Sequence, residues 1–181
     1  MKPHSYSSEG MVLARRNYGE ADRIVSLYTK NHGRVSLIAK GVRRPKSRKR
    51  GHLEVFSHVR FQASTGHGLD LMTEAEAIGD FKEIRKSLKK VSLAYYFCEV
   101  IGRITHEGEP NEKLFNLILE YLEKLKSETR LKSLRLDFIR NLLILMGYWP
   151  AGKLLTDPDK KLEEVIEREL SSPRVGRRML Q

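Results

Sequence analysis

The sequence predicts an α+β chain. Five short strands, arranged as a small barrel or sandwich, fill residues 1–80, and an all-helical part fills residues 81–181. Three observations predict this. Apolar and polar residues alternate in the first part. Beyond Asp80 the apolar residues recur at helical spacing instead. Turn signals built on glycine, Asn31-His32-Gly33 and Gly66-His67-Gly68, punctuate the strand-like part.

The elements follow in order. Gly10–Tyr18 contains Met11, Val12, Leu13 and Ala14, and Ala21–Lys30 carries Ile24, Val25, Leu27 and Tyr28. Asn31-His32-Gly33 then turns the chain, glycine supplying the positive φ a tight hairpin needs. Val35 and Leu37 alternate with Arg34 and Ser36 up to Gly41, which makes the clearest hairpin in the sequence. His52–Thr65 is the expected fourth strand, with Leu53, Val55, Val59 and Phe61 at alternate positions and Ser57 interrupting. Leu69, Leu71, Thr73 and Ala75 supply the fifth. The connections are short except for one long basic gap between the third and fourth strands.

The helical stripes come next. Val91, Leu93, Ala94, Phe97, Val100, Ile101 and Ile104 mark a helix over Leu88–Ile104. His106-Glu107-Gly108-Glu109-Pro110 breaks it, and Asn111 is placed to cap the next helix, striped by Leu114, Leu117, Ile118, Tyr121, Leu122 and Leu125. Leu131, Leu134, Phe138, Leu142, Leu145 and Met146 stripe a third, which Gly147 caps and Pro150 stops. Asp157-Pro158 reads as N-cap and first position of a last helix carrying Leu162, Val165, Ile166 and Leu170.

Composition bounds the function. Hydrophobic residues make up 40% of the 181, too many for a disordered chain. The single cysteine, Cys98, excludes an internal disulfide framework and a cysteine-based zinc site; set in an apolar stripe, it reads as a small core residue. No apolar run is long enough to cross a membrane and no signal-peptide core follows Met1, so a soluble cytoplasmic protein is expected. The net charge is +11, which points first to nucleic acid. Residues 1–80 hold 14 Lys/Arg against 8 Asp/Glu, and the longer remainder holds 20 against 15.

Within that excess, Lys40–Arg50 gathers Lys40, Arg43, Arg44, Lys46, Arg48, Lys49 and Arg50 without one acid. Gly41, Pro45 and Gly51 argue against a continuous helix or strand, and almost nothing apolar anchors the segment. Such a run repels itself unless a polyanion is present, so it is expected to bind a phosphate backbone in a salt-dependent way. Arg15, Arg16 and Arg34 on the neighbouring strands join the candidate DNA-binding set. Tyr6, Tyr18, Tyr28, Phe56 and Phe61 are available as stacking platforms, though most of them should be core.

Catalytic motifs are missing: the sequence holds no phosphate-binding loop, nucleophile elbow or HExxH. No catalytic residue, cofactor or metal site is therefore expected. His52 and His58 would share a strand face, as would Glu74 and Glu76, but neither pair has the further ligands a metal needs. Binding of DNA leads the readings. An RNA-binding assembly factor, a protein adaptor whose helical half alone matters, and a metal-dependent nuclease built on Glu74 and Glu76 stand behind it.

Gly10-Met11-Val12-Leu13 followed by Tyr18-Gly19-Glu20-Ala21-Asp22-Arg23-Ile24-Val25 resembles the opening of RecO, a bacterial family of recombination mediators and DNA-repair proteins. Thr29–Gly33, Ile38–Arg48, Gly51–Phe56 and Glu74-Ala75-Glu76 fit its next blocks in order and spacing. Leu142–Pro150 resembles the end of its central helices, and Arg177-Arg178-Met179-Leu180 its C-terminal signature. The resemblance implies an N-terminal OB-fold, a helical C-terminal domain and binding of single- and double-stranded DNA. It also implies annealing of complementary strands, and loading of RecA with RecR and the single-strand binding protein SSB at the nucleoid. The acidic, apolar-ended SSB tail would sit in a groove of the helical half, met by Arg135 and Arg140. Many members carry a four-cysteine zinc module after the Gly-Tyr-x-Pro element. Here Ala151–Thr156 holds no cysteine, so a short form without zinc is expected rather than a fragment.

Overall fold

The computed structural model describes residues 4–47, 49 and 51–166. Strands β1 (Ser5–Tyr18), β2 (Asp22–Thr29), β3 (Gly33–Ala39), β4 (His58–Ser64) and β5 (Asp70–Gly79) are followed by helices α1 (Lys82–Arg85), α2 (Leu88–Ile104), α3 (Glu112–Ser127), α4 (Leu131–Leu145) and α5 (Pro158–Val165). The strands close into a barrel in the order β1-β2-β3-β5-β4, the arrangement of an OB-fold. All neighbours are antiparallel except β3 and β5, whose parallel seam is two residue pairs long, Leu37 with Asp70 and Ile38 with Leu71.

β1 explains the barrel's shape. Its first half pairs with β4 and its second with β2, and Gly10 and Met11 pair with both. At Gly10, where the strand crosses from one partner to the other, an added Cβ would sit 3.2 Å from Leu27. A register shift between Val12 and Ala14 frees a stretch of backbone. The Val12 N–H donates to the Ser57 carbonyl and the Phe56 N–H to that of Val12, so both backbone groups of Val12 are paired. Val12 belongs to the barrel interior with Val25, Leu27, Leu37 and Val59. Met11 and Leu13 join Tyr28 and Phe56 in a second core shared with the helices. Both faces of the strand are thus buried, which is why Met11, Val12 and Leu13 form an unbroken apolar run instead of an alternation.

The expected fourth strand starts late. His52–Ser57 is a string of turns, and β4 begins at His58. Phe56 is left-handed, with φ 56, and its ring is fully buried. The Arg85 guanidinium lies 3.9 Å above that ring and donates to the Val55 carbonyl and Ser57 Oγ. His52 and His58 therefore share no strand face; His52 Nδ1 instead accepts from the Ala77 N–H. Glu74 and Glu76 are exposed on β5, opposite Gln62 and Arg60.

The helices follow their stripes. Asn111 caps α3 by accepting from the Leu114 N–H, and Asp157 caps α5 by accepting from the Lys160 N–H. Phe97, Tyr121 and Phe138 meet at the centre of the bundle, the Phe97 and Phe138 rings 4.2 Å apart. α1 was not expected; it is a single turn carrying the clamp residue Arg85. Leu170 of the last stripe and the Arg177–Leu180 signature lie outside the described residues.

Candidate nucleic-acid interface

The basic segment between β3 and β4 folds against the barrel rather than hanging free. Contrary to the sequence reading, an apolar residue does anchor it: Val42 is fully buried, and Leu53 beyond it is too, both in the barrel interior. The Gly41 N–H donates to Asp22 Oδ1 at 2.7 Å, and the Arg43 N–H to the Ala21 carbonyl at 2.9 Å. Gly41 takes φ 64, a value glycine adopts without strain. Successive turns follow, with Arg44 N–H on Gly41 and Ser47 N–H on Arg44. The segment is thereby strapped to the β1–β2 turn.

The strap sorts the cations. Lys40, Arg43, Arg44 and Lys46 are exposed. Arg43 reaches the carbonyls of Gly19 and Glu20, and beside it Glu20, Ala21, Arg43 and Arg44 line a shallow hollow of about 280 Å3. Lys49 is turned inward. Its ammonium donates to the Met72 and Thr73 carbonyls, and burial lowers its pKa, with Asp22 partly restoring it. Arg48 and Arg50 lie outside the described residues.

On β1, Arg16 is exposed, whereas Arg15 is half-buried with Glu54 at 2.7 Å. Arg23, which the sequence reading passed over, shares Glu54 from β2. Burial lowers its pKa first and Arg15 second, and Arg43 adds to the fall, so Arg15, Arg23 and Arg43 form one positive neighbourhood. Its signal was present in the sequence as Asp22-Arg23 directly after the Gly19 turn. Arg34 stands apart, half-buried on β3, where its guanidinium donates to the Gly102 carbonyl of α2.

The stacking candidates divide as well. Tyr28, Phe56 and Phe61 are buried, and Tyr6 is half-buried with its hydroxyl on Asp70. Tyr18 is 48% exposed at the end of β1, next to the basic strap. Between the barrel wall and α2 runs an open groove of about 710 Å3, lined by Leu13, Arg15, Arg34, Val55, Val91 and Tyr95 among others.

Arg135 is withdrawn from the partner-binding role. Its side chain is 7% exposed and holds both carboxylate oxygens of Asp159 on α5, leaving no free fork for a partner's carboxylate. Arg140 is exposed on α4 and bonds Asp137 one turn away.

Family comparisons cover most of the chain. The profile of "Recombination protein O N terminal" matches residues 1–81 and that of "Recombination protein O C terminal" residues 85–152. The chain is 38% identical over 145 residues to a DNA repair protein RecO of Pelotomaculum thermopropionicum, covering 80% of this chain and 56% of the relative. It is 40% identical over 146 residues to one of Rubrobacter xylanophilus, covering 80% and 58%. It is 35% identical over 161 residues to one of Dehalococcoides mccartyi, covering 89% and 64%. The matches therefore span between 56% and 64% of the length of these relatives. Among the described residues no helix is long and apolar enough to cross a membrane.

Proposed function

Because this chain belongs to the RecO family of DNA repair proteins, we propose that it binds single- and double-stranded DNA through the strapped basic face. On that face it brings complementary strands together for annealing. The observation that carries this is the tie of the basic segment to Asp22 and, through its own Val42, to the barrel interior, which leaves Lys40, Arg43, Arg44 and Lys46 exposed. A loop ordered in advance loses less entropy when it meets a phosphate backbone than a free one does. Two strands drawn to one positive face have their mutual repulsion screened there, so pairing goes faster.

Within the pathway, the protein acts with RecR to help load RecA onto single strands coated by SSB, in the cytoplasm at the nucleoid. Of the two arginines expected to meet the acidic SSB tail, Arg140 is the exposed one, and the tail's carboxylate would compete there with Asp137. None of these steps makes or breaks a covalent bond, so the protein works as a mediator rather than an enzyme.

The test is annealing of complementary oligonucleotides coated with the cognate SSB, across a salt series. The wild type is run beside a variant with Lys40, Arg43, Arg44 and Lys46 changed to Ala. Wild type is expected to accelerate annealing and to weaken as salt rises. The variant should bind more weakly, with a salt slope shallower by roughly 0.7–0.9 per lost phosphate contact. An unchanged slope in the variant would remove the strap from the DNA interface. Binding without annealing would confine the protein to a docking role.

A further inference from the structure

We propose that the groove between the barrel wall and α2 holds one unpaired base of a single strand, stacked on Tyr95, with its phosphate beside Arg34. This rests on the DNA-binding reading and adds to it a subsite that a duplex cannot enter.

The groove has the parts such a site needs. Leu13 and Val55, both 5% exposed, give it an apolar floor, and α2 adds Val91. Tyr95 stands in the same wall and is 44% exposed, although Tyr96 and Phe97 after it are buried. The edge-to-face packing of Tyr95 on Phe56, with centroids 5.8 Å apart, fixes the phenol ring in position. A fixed and accessible ring is what base stacking requires.

The charges favour nucleic acid over an apolar peptide. Arg15, Arg34 and Arg103 line the groove against one carboxylate, Glu99. Arg15 and Arg23 share Glu54, and Arg103 is paired with Glu99, so Arg15 and Arg103 each have a carboxylate partner. Arg34 is held by a neutral group instead. Its guanidinium donates to the Gly102 carbonyl, and among the described residues its buried Nε has no hydrogen-bond partner. A phosphate would supply the counter-charge. The groove also joins the strapped basic face, because Arg15 shares Glu54 with Arg23, which lies within electrostatic reach of Arg43. A strand running along the basic face thus reaches an apolar slot with a cation in it. Single-stranded nucleic acid offers phosphate and flat apolar face together, whereas the bases of a duplex are already stacked and paired.

Three full-length proteins test the proposal: wild type, Tyr95→Ala and Tyr95→Phe. Each is titrated with a single-stranded oligonucleotide and with a duplex of equal length. Tyr95→Ala is expected to bind the single strand about tenfold more weakly and the duplex within about twofold of wild type, while Tyr95→Phe keeps both. Ultraviolet crosslinking of a strand carrying 5-iodouracil should map an adduct to Tyr95. Unchanged single-strand binding by Tyr95→Ala, with the adduct elsewhere, overturns the base site and leaves the basic face standing. An equal loss for single strand and duplex overturns it too, by making Tyr95 a general structural residue. Loss of binding to an acidic peptide with an apolar end, with strands still bound, would reassign the groove to a protein partner. If wild type binds neither strand nor duplex, both readings fall together.

Discussion

At the scale of single residues, His58 shows how burial and charge compete. Its Nε2 lies 3.3 Å from the Glu9 carboxylate, and its ring packs edge-on against Phe115. Burial lowers its pKa and outweighs the upward pull of Glu9. The native state therefore favours the neutral ring. Above an unfolded value of about 6.5 both states are neutral and the stability is fully present. As pH falls from there through the depressed native value, the unfolded chain takes up a proton the native one resists, and stability declines. Urea melts at about pH 7.5 and about pH 5.5 should show the midpoint falling further for wild type than for His58→Gln. Equal falls would remove His58 from the pH response. The sequence placed this histidine in a strand but could not reveal its burial, which depends on Phe115, more than fifty residues along the chain. The same holds for the contacts of Arg34 and Arg135. Their partners, Gly102 and Asp159, are 68 and 24 positions away, so each cation looked free when read locally.

At the scale of elements, the β2–β3 turn does more than reverse the chain. Gly33 has φ 67, and a Cβ there would lie 2.5 Å from the Glu109 backbone in the α2–α3 connection. Backbone cannot swing aside as a long side chain can. Gly147, after α4, has φ 79 and open space around it. Gly147→Ala is expected to cost about 1–2 kcal/mol through left-handed strain alone. Gly33→Ala should cost roughly 3 kcal/mol or more, because the overlap adds to the strain. Equal losses in thermal melts of the two variants would show that the turn does not press on the connection. Both glycines were legible as turn and cap, and α2, α3 and α4 were legible from their stripes within a residue or two. The start of β4 was not. Leu53 and Val55 keep the spacing of a strand, yet Leu53 fills the barrel interior while Val55 packs with the helices, as turns allow and a flat strand does not. The anchoring of the basic segment was hidden because one valine among many cations carries little weight until the barrel around it is built.

At the scale of the whole molecule, the two parts anticipated on either side of residue 80 are joined by one core. Met11, Leu13, Tyr28 and Phe56 from the barrel half pack in the same cluster as Phe97, Ile101, Phe115 and Phe138 from the helices. Neither part can lose its fold without exposing the other's apolar face, so unfolding should be a single transition. Cys98 offers the measurement. Burial pushes its thiol up to about 12, and its Sγ sits 3.7 Å from the Val12 carbonyl across the junction. Thiol labelling in increasing urea is expected to follow the loss of helical circular dichroism, since the thiolate that reacts exists in the open chain. Labelling well before that loss would show the barrel and helices parting first. The shared core also sets an order in time. The barrel strands are synthesised before α2, so the outward faces of Met11, Leu13 and Tyr28 leave the ribosome with nothing to cover them. At roughly 5–20 residues per second, they face water for seconds before the helices arrive. In that interval the newborn chain displays an apolar wall beside a dense run of cations, with only water to cover it.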